Sequence, residues 1–266
     1  MEKKTFIIMV TNGRGGVSKT NIVYSLAKTL AEAGAKTVAV DCDGSLTLTR
    51  KHDKRRVLLS QGTPDMTDAG FDFATCTFTM DIKKKRNKTR KLVKDRTANY
   101  DVAILDISGE FSTVQADLAP IVDYIVMPCK PEETMLESTF ESYNLIHQIL
   151  DDEEDLEKEN WPKVSLARVM WNKKRLISRA CDDIIEEESK EFPISCLKSS
   201  TAPFESQYAR ADYFGVSVIE LENMGTKQEK KSSESAVFEM KKLCKEILSE
   251  AGLIDSNLKF IKRDEK

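Results

Sequence analysis

Between an apolar run, Thr5–Thr11, and an amphipathic run from Asn21 lies TNGRGGVSKTN, whose residue types suit the binding of phosphate. Gly13, Gly15 and Gly16 permit backbone geometries closed to other residues, so successive amides can turn inward on phosphate oxygens at the positive end of a helix. Lys19 offers a point charge to the β- and γ-phosphates, and the Thr20 hydroxyl a ligand to Mg2+. The spacing meets GxxxxxK[ST], with Ser18 standing where the fuller GxxxxGK[ST] has glycine. The competing reading is a glycine-rich strand-to-helix turn that holds no ligand.

Two further apolar runs end in carboxylates. TVAVDCDG closes on Asp41 and Asp43, and DVAILDISG on Asp106. Carboxylates at the C-terminal ends of parallel strands lie on the edge where such sheets bind ligands. The simpler alternative is that each caps the helix that follows.

These residues need a framework of strands and helices. The β-branched and apolar runs predict strands at Thr5–Thr11, Thr37–Asp41, Phe71–Thr79, Asp101–Asp106, Asp123–Pro128, Val164–Trp171 and Val216–Leu221. Helical spacing is expected over Asn21–Gly34, Glu132–Leu150, Arg175–Lys190, Pro203–Phe214 and Ser233–Ala251. The alternation predicts an α/β fold, a doubly wound, mostly parallel sheet flanked by helices. One nucleotide-binding domain over residues 1–254 and a short charged C-terminal tail over 255–266 are expected. The acidic run Asp151–Glu159 reads as a solvated connector, and Asp81–Arg96, whose stretch Lys83–Lys91 has no apolar residue, as a segment whose helix would have no face to bury and must sit in solvent or against a polyanion.

Composition narrows the classes. With 41 Lys and Arg against 44 Asp and Glu, the net charge of −3 exerts no global pull on nucleic acid or membrane, so any electrostatic function must be local. Six scattered cysteines with no CxxC pair, and only two histidines, argue against a metal centre or cysteine-held cluster and for a reduced, cytoplasmic protein. The apolar start is too short to span a bilayer and runs into the glycine loop, so it reads as a first strand.

RGGVSKTN, DCD and VAILD, in that order and at these separations, resemble the ParA/MinD class of P-loop ATPases, with its deviant KGGxGK[ST][ST] loop, second-strand DxD and Walker B aspartate. IVMPCKPEE, ARVMWNKKRLISR and TAPFESQYARADYFGVSVIEL extend the resemblance over roughly residues 5–250. It is similar above all to plasmid partition proteins and the ParA-like protein of T-DNA transfer. The resemblance implies a P-loop NTPase fold, ATP and Mg2+ as cofactors, and a loop of Gly13, Arg14, Gly15, Gly16, Val17, Ser18, Lys19, Thr20 and Asn21 around the nucleotide. It implies that Asp41 orients the attacking water and stands beside the metal, that Asp106 holds Mg2+ through water, and that Thr20 ligates it directly. Asn172 would read the adenine edge, or simply make a turn.

Arg14 replaces the family's signature lysine, which reaches across a dimer; it keeps the charge but not the shape. Ser18 adds a side chain to the loop, and Asn21 replaces a second hydroxyl. Nucleotide binding is therefore expected, with slow hydrolysis catalysed through Asp41, Lys19 and Arg14.

By the same resemblance the expected function is DNA partition or positioning: a homodimer on ATP binding, non-specific DNA, nucleoid association, and a small DNA-binding partner protein that stimulates hydrolysis. The alternatives are a nucleotide-binding scaffold for conjugative or T-DNA-type transfer and, further off, an ATP-dependent ligase or synthetase of the same fold. Lys83, Lys84, Lys85, Arg86, Lys88, Arg90, Lys91 and Lys94 form the densest positive cluster and are the candidate DNA surface on charge alone; Lys173, Lys174, Arg175 and Arg179 form a weaker one. The tail NLKFIKRDEK carries too few apolar groups for stable membrane association.

Overall fold

Short, fully buried strands make the centre of the molecule. The structure, a computed structural model, describes residues 4–76, 86–109, 113–154, 156–172 and 174–262. Its strands are β1 Phe6–Val10, β2 Thr37–Asp41, β3 Asp72–Thr75, β4 Val102–Asp106, β5 Tyr124–Cys129, β6 Lys163–Arg168 and β7 Ser195–Ser200. They pair in parallel in the order β3-β2-β4-β1-β5-β6-β7. The order runs outward in both directions from β1, and the crevice at such a switch point is where open α/β sheets take ligands.

The helices are α1 Lys19–Glu32, α2 Thr47–Ser60, α3 Arg86–Thr97, α4 Thr113–Leu118, α5 Glu133–Asp151, α6 Leu176–Glu188, α7 Glu205–Phe214 and α8 Lys227–Glu250. Alternation along β1 sends Phe6, Ile8 and Val10 to one apolar layer, with α1, α7 and α8, and Ile7 and Met9 to the other, with α3 to α6. Both faces are covered, which is why β1, β2, β4 and β5 are continuous apolar runs rather than alternating ones.

Helices α2 and α4 are not among the expected ones, and three other elements differ from expectation. Val216–Leu221 is not a strand. Gly215, at φ 65, ends α7, and Ser217 then starts a 3-10 turn over Val218–Glu222, closed by a capping box in which Ser217 N–H donates to Glu220 Oε2 at 2.8 Å. Its apolar residues are buried because the turn is packed among α1, α7 and α8. The last strand is instead the polar SCLKSS of β7. Its outer N–H groups at Lys198 and Ser199 donate to the Glu246 carboxylate of α8 at 2.7 Å each, so a helix covers the sheet edge. Third, α3 does have a face to bury: Thr89, Val93 and Thr97 recur every fourth residue and point inward. Leu92 and Val93, inside Asp81–Arg96 but just past its apolar-free stretch, supply the apolar contacts of that face.

The expected strand Phe71–Thr79 is observed as Asp72–Thr75, and residues 77–79 lie outside the described ones. Residues 255–262 turn back on the domain: Ile254 and Phe260 pair, and Phe260 N–H donates to Ala33 O at 3.1 Å. Among the described residues no helix is long and apolar enough to cross a membrane.

Candidate nucleotide site

The glycine loop leaves β1 and enters α1. Asn12, fully buried, anchors its start: its Nδ2 donates to Pro128 O at 2.8 Å and Thr139 Oγ1 at 2.7 Å, and its Oδ1 accepts the Arg14 N–H at 3.0 Å. Val17 is buried beneath the loop, while Arg14, Gly15 and Gly16 are exposed at its tip. A side chain at Gly13 would collide with the hydroxyls of Ser138 and Ser142. One at Gly109, just past β4, would lie 2.7 Å from the Gly15 backbone. Ser18 takes the left-handed conformation, φ 60, at the position that opens α1, which is where the fuller motif places glycine.

Lys19 is 8% exposed, and its Nζ donates to Arg14 O at 2.9 Å. Burial lowers its pKa, against the opposing pull of Asp106 and Asp43. Thr20 Oγ1 donates to Asp106 Oδ2 at 2.7 Å. Asp106 and Asp41 are directly opposite one another on β4 and β2. Burial pushes the Asp106 carboxyl up to about 7, the Thr20 hydrogen bond counteracting and the Asp41 charge adding to it. Asp41 Oδ2 accepts the N–H and hydroxyl of Thr49, at 2.7 and 2.6 Å, and Oδ1 accepts the Asp43 N–H at 3.1 Å. Asp43 makes a turn, its Oδ1 accepting the Ser45 N–H at 2.9 Å.

Not every expected contact points to the loop. The Asn21 side chain turns away from it, its Oδ1 accepting from Lys51 Nζ at 2.6 Å. Asn172 makes the turn after β6: its Oδ1 accepts the Lys174 N–H at 3.1 Å. In the basic cluster, Lys83, Lys84 and Lys85 lie outside the described residues, as does Lys173 of the weaker set, and Arg86 begins α3. Lys88, Lys91 and Lys94 are exposed. Arg90 is turned inward, donating to both oxygens of Glu153 at 2.6 and 2.7 Å and to Asp117 O at 2.9 Å. Part of the acidic connector is therefore the partner of part of the basic cluster.

Sequence reading missed Asn12, Thr49 and Lys51. Thr49 and Lys51 sit on α2, whose LTRKHDKRR carries little apolar periodicity. Lys51, 5% exposed, donates to Asn21 and to Asp212 Oδ1 at 2.7 Å.

The donor set fits a nucleotide with its divalent cation. A buried carboxyl raised chiefly by burial, a hydroxyl bonded to it, a buried ammonium and an exposed glycine cradle supply the groups that a metal and a polyphosphate would complement. A parallel sheet with this loop at its switch point defines a nucleotide-binding protein of the P-loop class. The sequence matches the family model "CobQ/CobB/MinD/ParA nucleotide binding domain" over residues 8–218, and the chain belongs to that family.

Similar structures agree on the fold. Apo McdA of Cyanothece superposes with a TM-score of 0.65 at 12% identity, covering 92% of this chain and 100% of that one. A putative plasmid partition protein of Borrelia burgdorferi bound to AMPPNP gives 0.61 at 16% identity, over 90% and 99%. The septum site-determining protein MinD of Pyrococcus horikoshii, complexed with Mg-ADP, gives 0.60 at 16% identity, over 90% and 96%. Cobyrinic acid a,c-diamide synthase of Mycobacterium smegmatis, with a bound ATP analogue and magnesium, gives 0.57 at 18%, over 79% and 92%. An uncharacterized protein of Methanocaldococcus jannaschii is 20% identical over 215 residues, 70% of this chain and 80% of the relative.

Proposed function

We propose that this chain is an Mg-ATP-dependent dimerising switch with weak ATPase activity, acting in DNA partition or positioning. The observation that carries the reading is the convergence of Lys19, Thr20, Asp106 and Asp41 at the mouth of the glycine loop. The partition protein and MinD named above, bound to AMPPNP and Mg-ADP, support the choice of ligand.

The loop amides and Lys19 would bind the phosphates, with the Lys19 ammonium leaving Arg14 O for them. Thr20 and Asp106 would hold Mg2+, which neutralises charge on the phosphates. Asp41, fixed by Thr49, would orient the attacking water. Arg14, exposed at the loop tip, would meet the phosphates across a dimer. Turnover is slow on this reading, because Ser18 sits in a left-handed conformation and the Arg14 fork does not occupy a lysine's position.

The test is calorimetry with Mg-ATP. The native chain should bind, and Lys19→Ala should not; unchanged affinity in that variant would remove this loop as the site.

The same Ser18 geometry favours one second reading, a switch that binds and does not hydrolyse, serving as a scaffold in DNA transfer. Stimulated turnover with DNA and a partner protein would exclude it. The cobyrinic acid a,c-diamide synthase likeness keeps ATP-dependent amide synthesis as the metabolic alternative, which ATP turnover dependent on a small carboxylic acid would reveal.

A further inference from the structure

Cys42 and Cys76 form a pair that the nucleotide site leaves unused. β2 and β3 run parallel with Asp41 opposite Thr75, so the next residues, Cys42 and Cys76, face each other across the sheet. Adjacent strands lie about 4.8 Å apart, inside the Cα separation of about 4.4–6.8 Å that a disulfide requires. The chains remain paired at this point, Cys76 N–H donating to Asp41 O at 2.9 Å and Cys42 N–H to Asp106 O at 3.0 Å. Both side chains lie on one face of the sheet, in one apolar cluster, 5% and 3% exposed. The two thiols perturb each other, the pair interaction and burial pushing Cys42 up while the interaction with Cys42 draws Cys76 down.

Cys42 is also the middle residue of Asp41-Cys42-Asp43. Any displacement of it is passed to carboxylates on either side, and Asp41 has no solvent to move into.

We propose that Cys42 and Cys76 are an oxidative modification site, closing to a reversible disulfide with hydrogen peroxide and thereby resetting the Asp41–Asp43 loop. One sulfur, deprotonated, attacks a peroxide oxygen; the O–O bond breaks, the departing oxygen leaves as water, and the sulfur becomes a sulfenic acid. The second thiol attacks that sulfur, forming the S–S bond and releasing the hydroxyl as a second water. Two thiols and one peroxide thus give one disulfide and two waters, the sulfurs losing the two electrons that the peroxide gains. A dithiol reverses the step by exchange. An S–S bond of about 2.05 Å brings the sulfurs closer than any non-bonded contact allows, and the short loop between β2 and α2 takes up the movement. The bond itself is independent of the proposed nucleotide function; its effect on binding rests on it.

The experiment uses the full chain, reduced, freed of reductant, and treated with hydrogen peroxide before alkylation and tryptic digestion. Mass spectrometry should find the peptide of residues 37–50 joined to that of 57–83 with the loss of two hydrogens. Dithiothreitol should separate them. Mg-ATP affinity should fall at least about fivefold on oxidation and return on reduction, whereas Cys76→Ser and Cys42→Ala, both checked for folding by circular dichroism, should bind alike before and after peroxide. Alkylated Cys42 and Cys76 after a treatment that oxidises Cys196 would overturn the modification site. A bridge that leaves nucleotide binding and turnover unchanged would overturn its control of the loop. A reduced native chain that fails to bind Mg-ATP would overturn the nucleotide reading, and the linked peptide would still decide the thiol site.

Discussion

Asp106 holds the main electrostatic conflict of the site: a carboxyl 1% exposed, opposite Asp41 on the next strand and pushed up to about 7 by burial. Its folded pKa lies above its unfolded one, so its contribution to stability is complete below about pH 4 and is lost as pH rises through 7. Asp106→Asn should therefore stabilise the nucleotide-free chain, by at most about 1.4 kcal/mol for each pH unit between those limits. Thermal melts from pH 4 to 8 would read this. Mg-ATP should raise the melting temperature of the native chain and not of the variant; equal melting of both at pH 8 would show that Asp106 folds without strain. Thr49 acts on the other carboxylate. Thr49→Val removes the 2.6 Å hydroxyl contact to Asp41 and keeps the shape. Hydrolysis should fall about tenfold, corresponding to ~1.4 kcal/mol of lost transition-state stabilisation, with ATP affinity nearly unchanged. A variant equally fast would show that Asp41 needs no such anchor.

At the scale of elements, α2 joins the site to the rest of the domain. Thr49 grips Asp41, Lys51 grips Asn21 at the start of α1 and Asp212 of α7, and Arg55 is fully buried against both oxygens of Glu220 at 2.7 and 3.0 Å. The close approach of α2 requires Gly215: a side chain there would strike Lys51 O and lie 2.7 Å from Arg55 N, at a φ of 65 that other residues resist. Breaking the pair with Arg55→Met leaves the buried Glu220 carboxylate with only the more distant Lys28 ammonium, at 3.9 Å, as its counter-charge and should cost about 3 kcal/mol in urea unfolding. Arg55→Met with Glu220→Gln should recover much of that loss. A double variant as unstable as the single one would mean that packing of the guanidinium, not charge, holds α2.

For the whole molecule, net charge is close to neutral, so the proposed association with DNA would have to come from local clusters. On α3 the described cations that face solvent are Lys88, Lys91, Lys94 and Arg96, whereas Arg90 holds Glu153. Reversing Lys88, Lys91 and Lys94 to Glu should weaken binding to all DNA sequences alike and flatten its salt dependence. Arg90→Glu should act on stability by repelling Glu153. Filter binding across a salt series separates them; an unchanged salt slope in the triple variant would place DNA elsewhere or nowhere. Restoring the loop with Arg14→Lys and Ser18→Gly should raise turnover, since both changes return groups to positions where charge develops. Fast hydrolysis by the native chain alone would contradict the slow-switch reading.

The sequence by itself determined the sheet's buried centre, the loop and its paired aspartates, because each is written locally: continuous apolar runs, glycines at fixed offsets, carboxylates at strand ends. It determined the family for the same reason. Only the tertiary structure decided that Val216–Leu221 turns rather than extends, since a buried apolar run reads alike in either form and the Ser217–Glu220 capping box is what settled it. It alone decided that polar SCLKSS is a strand, because the Glu246 carboxylate that completes its edge lies 47 residues further along the chain from Ser199. The same holds for α2 and for Arg90. Their buried and half-buried charges are stable against partners distant in sequence, Glu220, Asp212 and Glu153, which a one-dimensional charge pattern does not bring together.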